Sequence, residues 1–368
     1  MFQSCTNLGT FNSDLSSLKY GDNMFNSCLN LTKITSDSSN SPDSPVNLGS
    51  LIDGQYMFYY CTKLTTFTPD LSSLTNGRYM FYNCDSFTEF NSNLGALIYG
   101  YSMFESCSGL TSFTSDLSSL TDGTEMFNNC SKLATFISDL SSLTNGRYMF
   151  QFCSDLTSFY SNSDGSSVNL SSLIDGYNMF NGCENLTSFD SDLPSLTNGY
   201  EMFYRCENLT SFTSDLISSE TNKSSLTNGF KMFSNCYKLA TFTSNLSSLT
   251  DGTGMFYGCA LNSDSVQKIL DTIPAYTDGS VHILYMTMDK NGCDKAWDIC
   301  KFYNSQYSKS KIKNYTNLQS ESTIFKYKGW TIYVTTNVED GVELSEFINP
   351  KFNIVEENGY IPNAETWN

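Results

Sequence analysis

The sequence predicts a repeat solenoid with one short strand per coil, and three observations predict it. The dipeptide Met-Phe recurs at positions 1, 24, 57, 80, 103, 126, 149, 179, 202, 232 and 255. Its spacing is 23 residues, lengthened once to 33 and twice to 30. A cysteine follows each Met by four: Cys5, Cys28, Cys61, Cys84, Cys107, Cys130, Cys153, Cys183, Cys206, Cys236 and Cys259. Self-similarity at a short fixed period marks units that bury their apolar side only by stacking.

Each unit reads M-F-x-x-C-x-x-L-T-x-F-x-S-D-L-S-S-L-T-N-G-x-x, with apolar columns at unit positions 1, 2, 5, 8, 11, 15 and 18 and Gly at 21. In the unit of Met103 these are Met103, Phe104, Cys107, Leu110, Phe113, Leu117, Leu120 and Gly123. The Thr- and aromatic-rich stretch Leu110 to Ser115 predicts the strand. S-D-L-S-S-L predicts a tight corner, its Asp side chain satisfying backbone N–H groups. The T-N-G or T-D-G triplet predicts a turn in which Gly supplies positive φ. Insertions near 38–46, 160–168 and 217–225 are rich in Ser, Asn and Asp. They are expected to enter at one place, between the strand and the next Leu column, and to bulge from one side.

Residues 1–259 thus form an eleven-unit array. Residues 260–337 predict an α/β cap: a helix from Asn262 ended by Pro274, a strand over 281–288, a second helix over 294–307 and a closing strand over 328–334. Ala296, Trp297, Ile299, Cys300 and Phe302 are core candidates of that second helix. Residues 338–368 are acidic and read as a linker or tail. The first unit begins at Met1 without a cap. The chain therefore reads as a fragment or truncated frame, or as one whose edge pairs with a partner chain.

Composition removes several function classes. The net charge is −18, with 20 Lys+Arg against 38 Asp+Glu, which argues against a nucleic-acid partner. No apolar run is long enough to span a membrane, and MFQSCTNLGT does not read as a signal peptide. There is one histidine, His282, inside an apolar predicted strand. No paired-carboxylate motif, phosphate loop or G-x-S-x-G is present, so no enzyme is expected and no cofactor is called for.

These residues resemble the BspA-type (Treponema-type) leucine-rich repeat over residues 1–259. Phe at unit position 2, Cys at 5, Leu at 8, an apolar residue at 11 and Gly at 21 fall in register with its pattern. Met replaces Ala at position 1, Phe replaces Ile at 11, and Ser-Asp replaces Ile-Pro at 13–14. The resemblance implies a leucine-rich-repeat superhelix with a parallel sheet on its concave face. It also implies a bacterial surface protein binding host, bacterial or glycan ligands. Similar repeats occur in phage fibres, so a virion receptor-binding component is an alternative, and a targeting region of a larger secreted enzyme is another.

Three sets of residues are candidates for function. The cysteine ladder, one thiol per coil, reads as a buried row of free thiols rather than disulfides or a metal site. The Asp column (Asp14, Asp70, Asp116, Asp139, Asp192 and Asp215, with Asn93 and Asn245) is either a calcium ladder or a row of turn hydrogen bonds. Asn in place of Asp favours the second, so no metal is expected. The variable positions 3, 4, 22 and 23 carry Tyr56, Tyr59, Tyr60, Tyr79, Tyr82, Tyr101, Phe152, Tyr177, Tyr200, Tyr204 and Tyr257, with Arg78, Arg147 and Arg205. Tyr and Arg dominate binding hot spots, which makes these the candidate contact surface for a protein or glycan ligand on a cell surface. The other reading is that the rings bridge neighbouring coils. The outward strand columns, including Ser112, Thr135, Ser158, Ser188 and Ser211, are small and hydroxylated and suit water or glycan contact.

Overall fold

The computed structural model describes residues 1–36, 44–162, 165–277, 281–288 and 323–336. Ten short strands follow the L-T-x-F stretches: β1 (Thr10–Asn12), β2 (Lys33–Thr35), β3 (Thr66–Phe67), β4 (Glu89–Phe90), β5 (Ser112–Phe113), β6 (Thr135–Ile137), β7 (Ser158–Tyr160), β8 (Ser188–Phe189), β9 (Ser211–Phe212) and β10 (Thr241–Phe242). They pair in parallel and in register, so Phe90, Phe113 and Phe136 lie side by side. The Thr before each strand strengthens the ladder: Thr111 and Thr157 donate their hydroxyls to the carbonyls of Thr88 and Ala134, one coil earlier.

The strand ladder is interrupted, and the insertions explain where. It divides into β1–β2, β3 to β7 and β8 to β10. The first two insertions open directly behind β2 and β7, closed by Thr35–Pro45 and Tyr160–Ser167 pairings. The third departs from expectation. It leaves after Leu216, one corner later, and is closed by an Ile217–Ser224 pairing. Because it avoids the strand, β9 and β10 stay joined.

The uninterrupted ladder lies elsewhere, on the segment from unit position 20 through position 4 of the next unit. Parallel pairings there run from Tyr20–Asp53 through Asn228–Asp251 without a break. In one coil, Gly100, Ser102, Phe104 and Ser106 donate N–H groups to the carbonyls of Asp122, Thr124, Met126 and Asn128 in the next, all at 2.8–2.9 Å. Every second peptide unit therefore points the same way, toward the C-terminal end.

This arrangement corrects the expected role of the T-N-G glycine. Positive φ falls two residues later and again just before the Cys, on Ser102 (49°), Ser106 (60°), Glu125 (57°), Asn129 (60°) and Tyr148 (56°) among others. Gly100 and Gly123 are not among the positive-φ residues. They are glycine for space: a Cβ on Gly123 would lie 2.9 Å from Met149 Sδ and 3.2 Å from Leu143 Cδ1. The left-handed positions hold Ser, Asn, Tyr, Phe, Glu, Lys, Arg or Gly and no β-branched residue, because branching at Cβ collides with the backbone there.

The interior is columnar. From the second unit onward the Met, Phe, Cys and Leu columns are buried. The position-2 phenylalanines stack face to face at 5.4 Å (Phe58–Phe81, Phe81–Phe104, Phe104–Phe127). The position-11 phenylalanines stack beside them, and the two rows meet edge to face, as in Phe113–Phe127 at 4.7 Å. Each such pair contributes about 0.5–1.5 kcal/mol beyond its burial.

At the C-terminal end the turn segment pairs as β11 (Gly252–Leu261), with its left-handed residues kept at Gly254 and Gly258, and is followed by α1 (Ser263–Thr272), β12 (His282–Met288), β13 (Thr323–Tyr327) and β14 (Trp330–Thr336). The sheet order is β11-β12-β14-β13, with only β13–β14 antiparallel. Asn262 caps α1 by accepting from Ser265 N. The Ser265 hydroxyl accepts from Phe242 N and donates to Ala240 O, closing the exposed edge of β10. Lys328 Nζ donates to the carbonyls of Leu270, Asp271 and Ile273 and so caps the other end of α1. The expected second helix and the 338–368 tail lie outside the described residues.

Substituting Gly123→Ala should cost about 1–3 kcal/mol through overpacking against Met149. Gly9→Ala, with nothing within 4 Å, should be neutral. Urea unfolding midpoints of the two variants check this.

Candidate functional site

The variable residues flank the uninterrupted ladder, which holds them one peptide hydrogen bond apart. Tyr56, Tyr59, Tyr60, Tyr79, Tyr82 and Tyr101 come together as one cluster. Tyr56 stacks on Tyr79 at 4.7 Å, Tyr59 on Tyr82 at 4.9 Å, and Tyr79 meets Tyr101 at 5.1 Å. Tyr59 and Tyr60 meet at 4.7 Å. A second run follows Tyr148, Tyr177, Tyr200 and Phe230, with centroids 4.6–5.1 Å apart. The rings thus bridge neighbouring coils, and Tyr60 keeps 37% of its surface exposed. Tyr204 stands apart, its hydroxyl accepting from Asn235 Nδ2, while Tyr257 meets Tyr285 edge to face. Phe152 lies over Gly182, whose Cβ would come within 2.7 Å of its ring.

The arginines are partnered within the chain. Arg147 lies 3.2 Å from the Asp175 carboxylate with its guanidinium 4.6 Å from the Tyr177 ring centre. Arg78 covers Tyr99 at 4.8 Å, and Arg205 pairs with Glu207 at 3.6 Å. Lys231 sits between Glu201 and the Phe230 ring. Tyr148, Tyr99, Glu105 and Glu125 belong to this surface and were not among the expected residues. Tyr148 and Glu125 occupy position 23 and Glu105 position 3, so the repeat pattern already contained them. Burial raises the Glu105 carboxyl above its ordinary range. Burial, then the Glu105 charge, raises the Tyr82 phenol.

Position 20 forms a polar ladder beside the rings. Asn76 Nδ2 donates to Asp53, Asn145 to Asp122, Asn198 to Asp175 and Asn228 to Asn198. The Asp column at position 14 serves its own corners: Asp14, Asp70, Asp116, Asp139 and Asp215 each accept from the backbone N two residues on, as do Asn93 and Asn245. Asp192 is the exception, because Pro194 has no N–H. Its carboxylate accepts from Asp215 N in the next coil. Among the described residues no three His, Cys, Asp or Glu side chains converge on a metal position.

Ten ladder cysteines, Cys28 to Cys259, are buried and free, while Cys5 in the first coil is exposed. Each buried thiol donates to the carbonyl of the position-2 Phe in the preceding unit, as Cys107 does to Phe81 at 3.1 Å and Cys130 to Phe104 at 3.1 Å. Burial pushes up the thiols of Cys28, Cys84, Cys130, Cys153, Cys183, Cys206, Cys236 and Cys259, and that of Cys61 to about 12. His282 packs against the cap: its ring stacks on Tyr276 at 3.5 Å, and Nδ1 is 2.9 Å from Thr250 O. The hydroxyl-bearing strand residues Ser112, Thr135, Ser158 and Ser211 are half-buried, and Ser188 is exposed.

A solenoid of stacked 23-residue coils with a thiol ladder defines a leucine-rich-repeat protein. The chain belongs to the BspA type leucine rich repeat region family, whose model matches residues 1–42, 52–174 and 158–277 in six copies. The family is one of repeat-based binding modules. A leucine-rich repeat protein from Bacteroides ovatus is similar in structure, at 17% identity and TM-score 0.31, over 77% of this chain and 80% of that one. So is a leucine rich cell surface protein from Faecalibacterium prausnitzii, at 14% identity and TM-score 0.32, over 78% and 85%. The functional domain of InlJ from Listeria monocytogenes, described as including a cysteine ladder, matches at 13% identity and TM-score 0.25, over 90% and 91%. No curated sequence matches the chain. Among the described residues no helix is long and apolar enough to cross a membrane.

Two expected outcomes follow from the buried thiols. Iodoacetamide should label Cys5 rapidly in the native protein and leave the ten ladder thiols unmodified until urea is added. Each raised thiol stays neutral in the fold while the unfolded chain ionises near pH 9. Stability is therefore fully present below pH 9 and falls as pH rises from there toward 12. Unfolding midpoints between pH 7 and 11 should show that decline, with a smaller slope in Cys130→Ala.

Proposed function

We propose that this chain is a non-enzymatic recognition or adhesion module of a bacterial surface. It would take a protein or glycan ligand along the ring-bearing face of the array. One observation carries this reading. The core consumes unit positions 1, 2, 5, 8, 11, 15 and 18, yet the variable positions beside them hold contiguous tyrosines that no core contact requires. Tyr offers a large amphipathic area at low entropy cost, and rings held by their neighbours lose little further freedom on binding. Repeated contacts along the array add avidity without a deep pocket. The family match to a repeat-based binding module supports the same direction.

The test applies the soluble chain to immobilised glycans and to extracellular-matrix and bacterial-surface proteins, beside the triple variant Tyr59→Ala, Tyr82→Ala, Tyr204→Ala. Capture of a ligand by the parent chain with about a tenfold or greater loss in the variant is expected, since hot-spot truncations cost upward of about 1–2 kcal/mol each. Equal capture by both proteins would move the binding surface off these rings.

A further inference from the structure

The column of unit position 3 reads Tyr59, Tyr82, Glu105 in three consecutive coils. Their spacing is set by the bonds Tyr60 N to Tyr82 O (2.9 Å) and Asn83 N to Glu105 O (2.8 Å). Tyr59 and Tyr82 stack with their planes 19° apart. The next residue in the column is a carboxylate, so the ring stack ends on Tyr82. Glu105 is half-buried and appears in no ion pair among the described residues. Glu125 stands one coil further on, accepting from the Ser102 hydroxyl.

The same chain shows what chemistry satisfies a ring beside a carboxylate. Arg147 does so between Tyr177 and Asp175. Lys231 does so between Phe230 and Glu201. Arg78, the cation nearest in sequence to the first tyrosine cluster, is turned onto Tyr99 at position 20. Among the described residues two ring-and-carboxylate pairings on this face carry no cation, Tyr82 with Glu105 and, one coil further on, Tyr101 with Glu125, and the first lies at the end of a ring stack. The chain as a whole is acidic, with a net charge of −18.

From this we infer that Tyr82 and Glu105, with Tyr59 behind them, form a seat for an arginine side chain of a partner protein. The guanidinium would lie over the Tyr82 ring and donate to the Glu105 carboxylate. A planar, weakly hydrated guanidinium suits both contacts better than an ammonium, and ring faces attract cations most strongly where water is partly excluded. The acidic array would steer a basic segment toward this face. The inference rests on the reading of the ring face as the binding surface and narrows what that surface takes.

The test measures fluorescence anisotropy of a labelled Gly/Ser peptide carrying arginines, beside the same peptide with citrulline, which keeps the shape and loses the charge. Tyr82→Leu and Glu105→Gln should each weaken the arginine peptide about five- to tenfold, while Tyr82→Phe, which retains the ring, should bind like the parent. Glu220→Gln removes the same charge from the third insertion and should change affinity little. Citrulline and arginine peptides binding alike would overturn the seat. So would equal losses in Glu105→Gln and Glu220→Gln, which would reduce it to net charge. Loss of the glycan or protein capture of the preceding experiment in the triple tyrosine variant, with no arginine preference here, would overturn the seat alone and leave the ring face as the binding surface.

Discussion

The rest of the structure depends on one constraint: coils are spaced by a single peptide hydrogen bond along the segment from position 20 to position 4. Every side chain on that segment therefore lies close to its counterpart in the next coil, the stacked Phe rings being 5.4 Å apart. Only side chains that tolerate their own copies at that distance can repeat. Phe does, as the 5.4 Å stacks show. Met does when the position-21 residue opposite has no side chain. Cys does because each thiol takes a carbonyl of the coil behind it. Carboxylates do so poorly, since like charges at this range repel. Position 20 reads Asp53, Asn76, Tyr99, Asp122, Asn145, Asp175, Asn198, Asn228, Asp251, and no two acids are consecutive. At position 14, Asp116 precedes Asp139 and Asp192 precedes Asp215. There the side chains stand nearer to solvent and each is held by a backbone N–H.

The same ladder gives the array a direction. Peptide dipoles that all present N–H toward the C-terminal end add along the stack, and the last coil would leave those donors unpaired. The cap supplies what they need. β12 runs parallel to β11 in the place a further coil would take, and Thr287 accepts from Gly258 N. On the strand side the smaller β10 edge is closed by one serine hydroxyl and the chain leading into α1. The left-handed positions carry a cost of about 1–2 kcal/mol each for non-glycine residues. In the last coil those two positions are Gly254 and Gly258, which removes that cost where β11 must also fit against β12.

What was legible in the sequence follows from what the repeat constrains. The buried columns, the strand stretches and the Asx corners were readable because each requires a chemical type at a fixed offset. The glycine was readable as invariant and misread as a φ requirement. Its true reason is a methionine in the following coil, and a contact between units leaves no mark within one unit. The left-handed pair at positions 23 and 4 was hidden because tyrosine, glutamate and lysine sit there beside asparagine and serine. The absence of β-branched residues in those columns was the available signal. The third insertion looked equivalent to the others because composition does not register a corner. Only the alignment of Asp215 and Leu216 with Asn245 and Leu246 places it after the corner rather than before.

Surface and core are separated by these rules more completely than in a globular domain. A core column accepts only apolar replacements, as Phe87 in the Leu column and Ile34 in the strand Phe column show, because each member packs on its neighbours in the adjoining coils. Positions 3, 4, 22 and 23 escape that demand and answer to two others. The left-handed pair excludes β-branched side chains, and self-stacking favours rings in runs. A run of rings is therefore cheap to build and uniform along its length. What distinguishes one stretch of the face from another is the charge that stands beside its rings: Glu105 beside Tyr82, Arg147 beside Tyr177, Lys231 beside Phe230. At the second and third of these the chain supplies a cation to its own ring. At the first it supplies a carboxylate, and that difference is what the proposed arginine seat at the end of the Tyr59–Tyr82 stack would use.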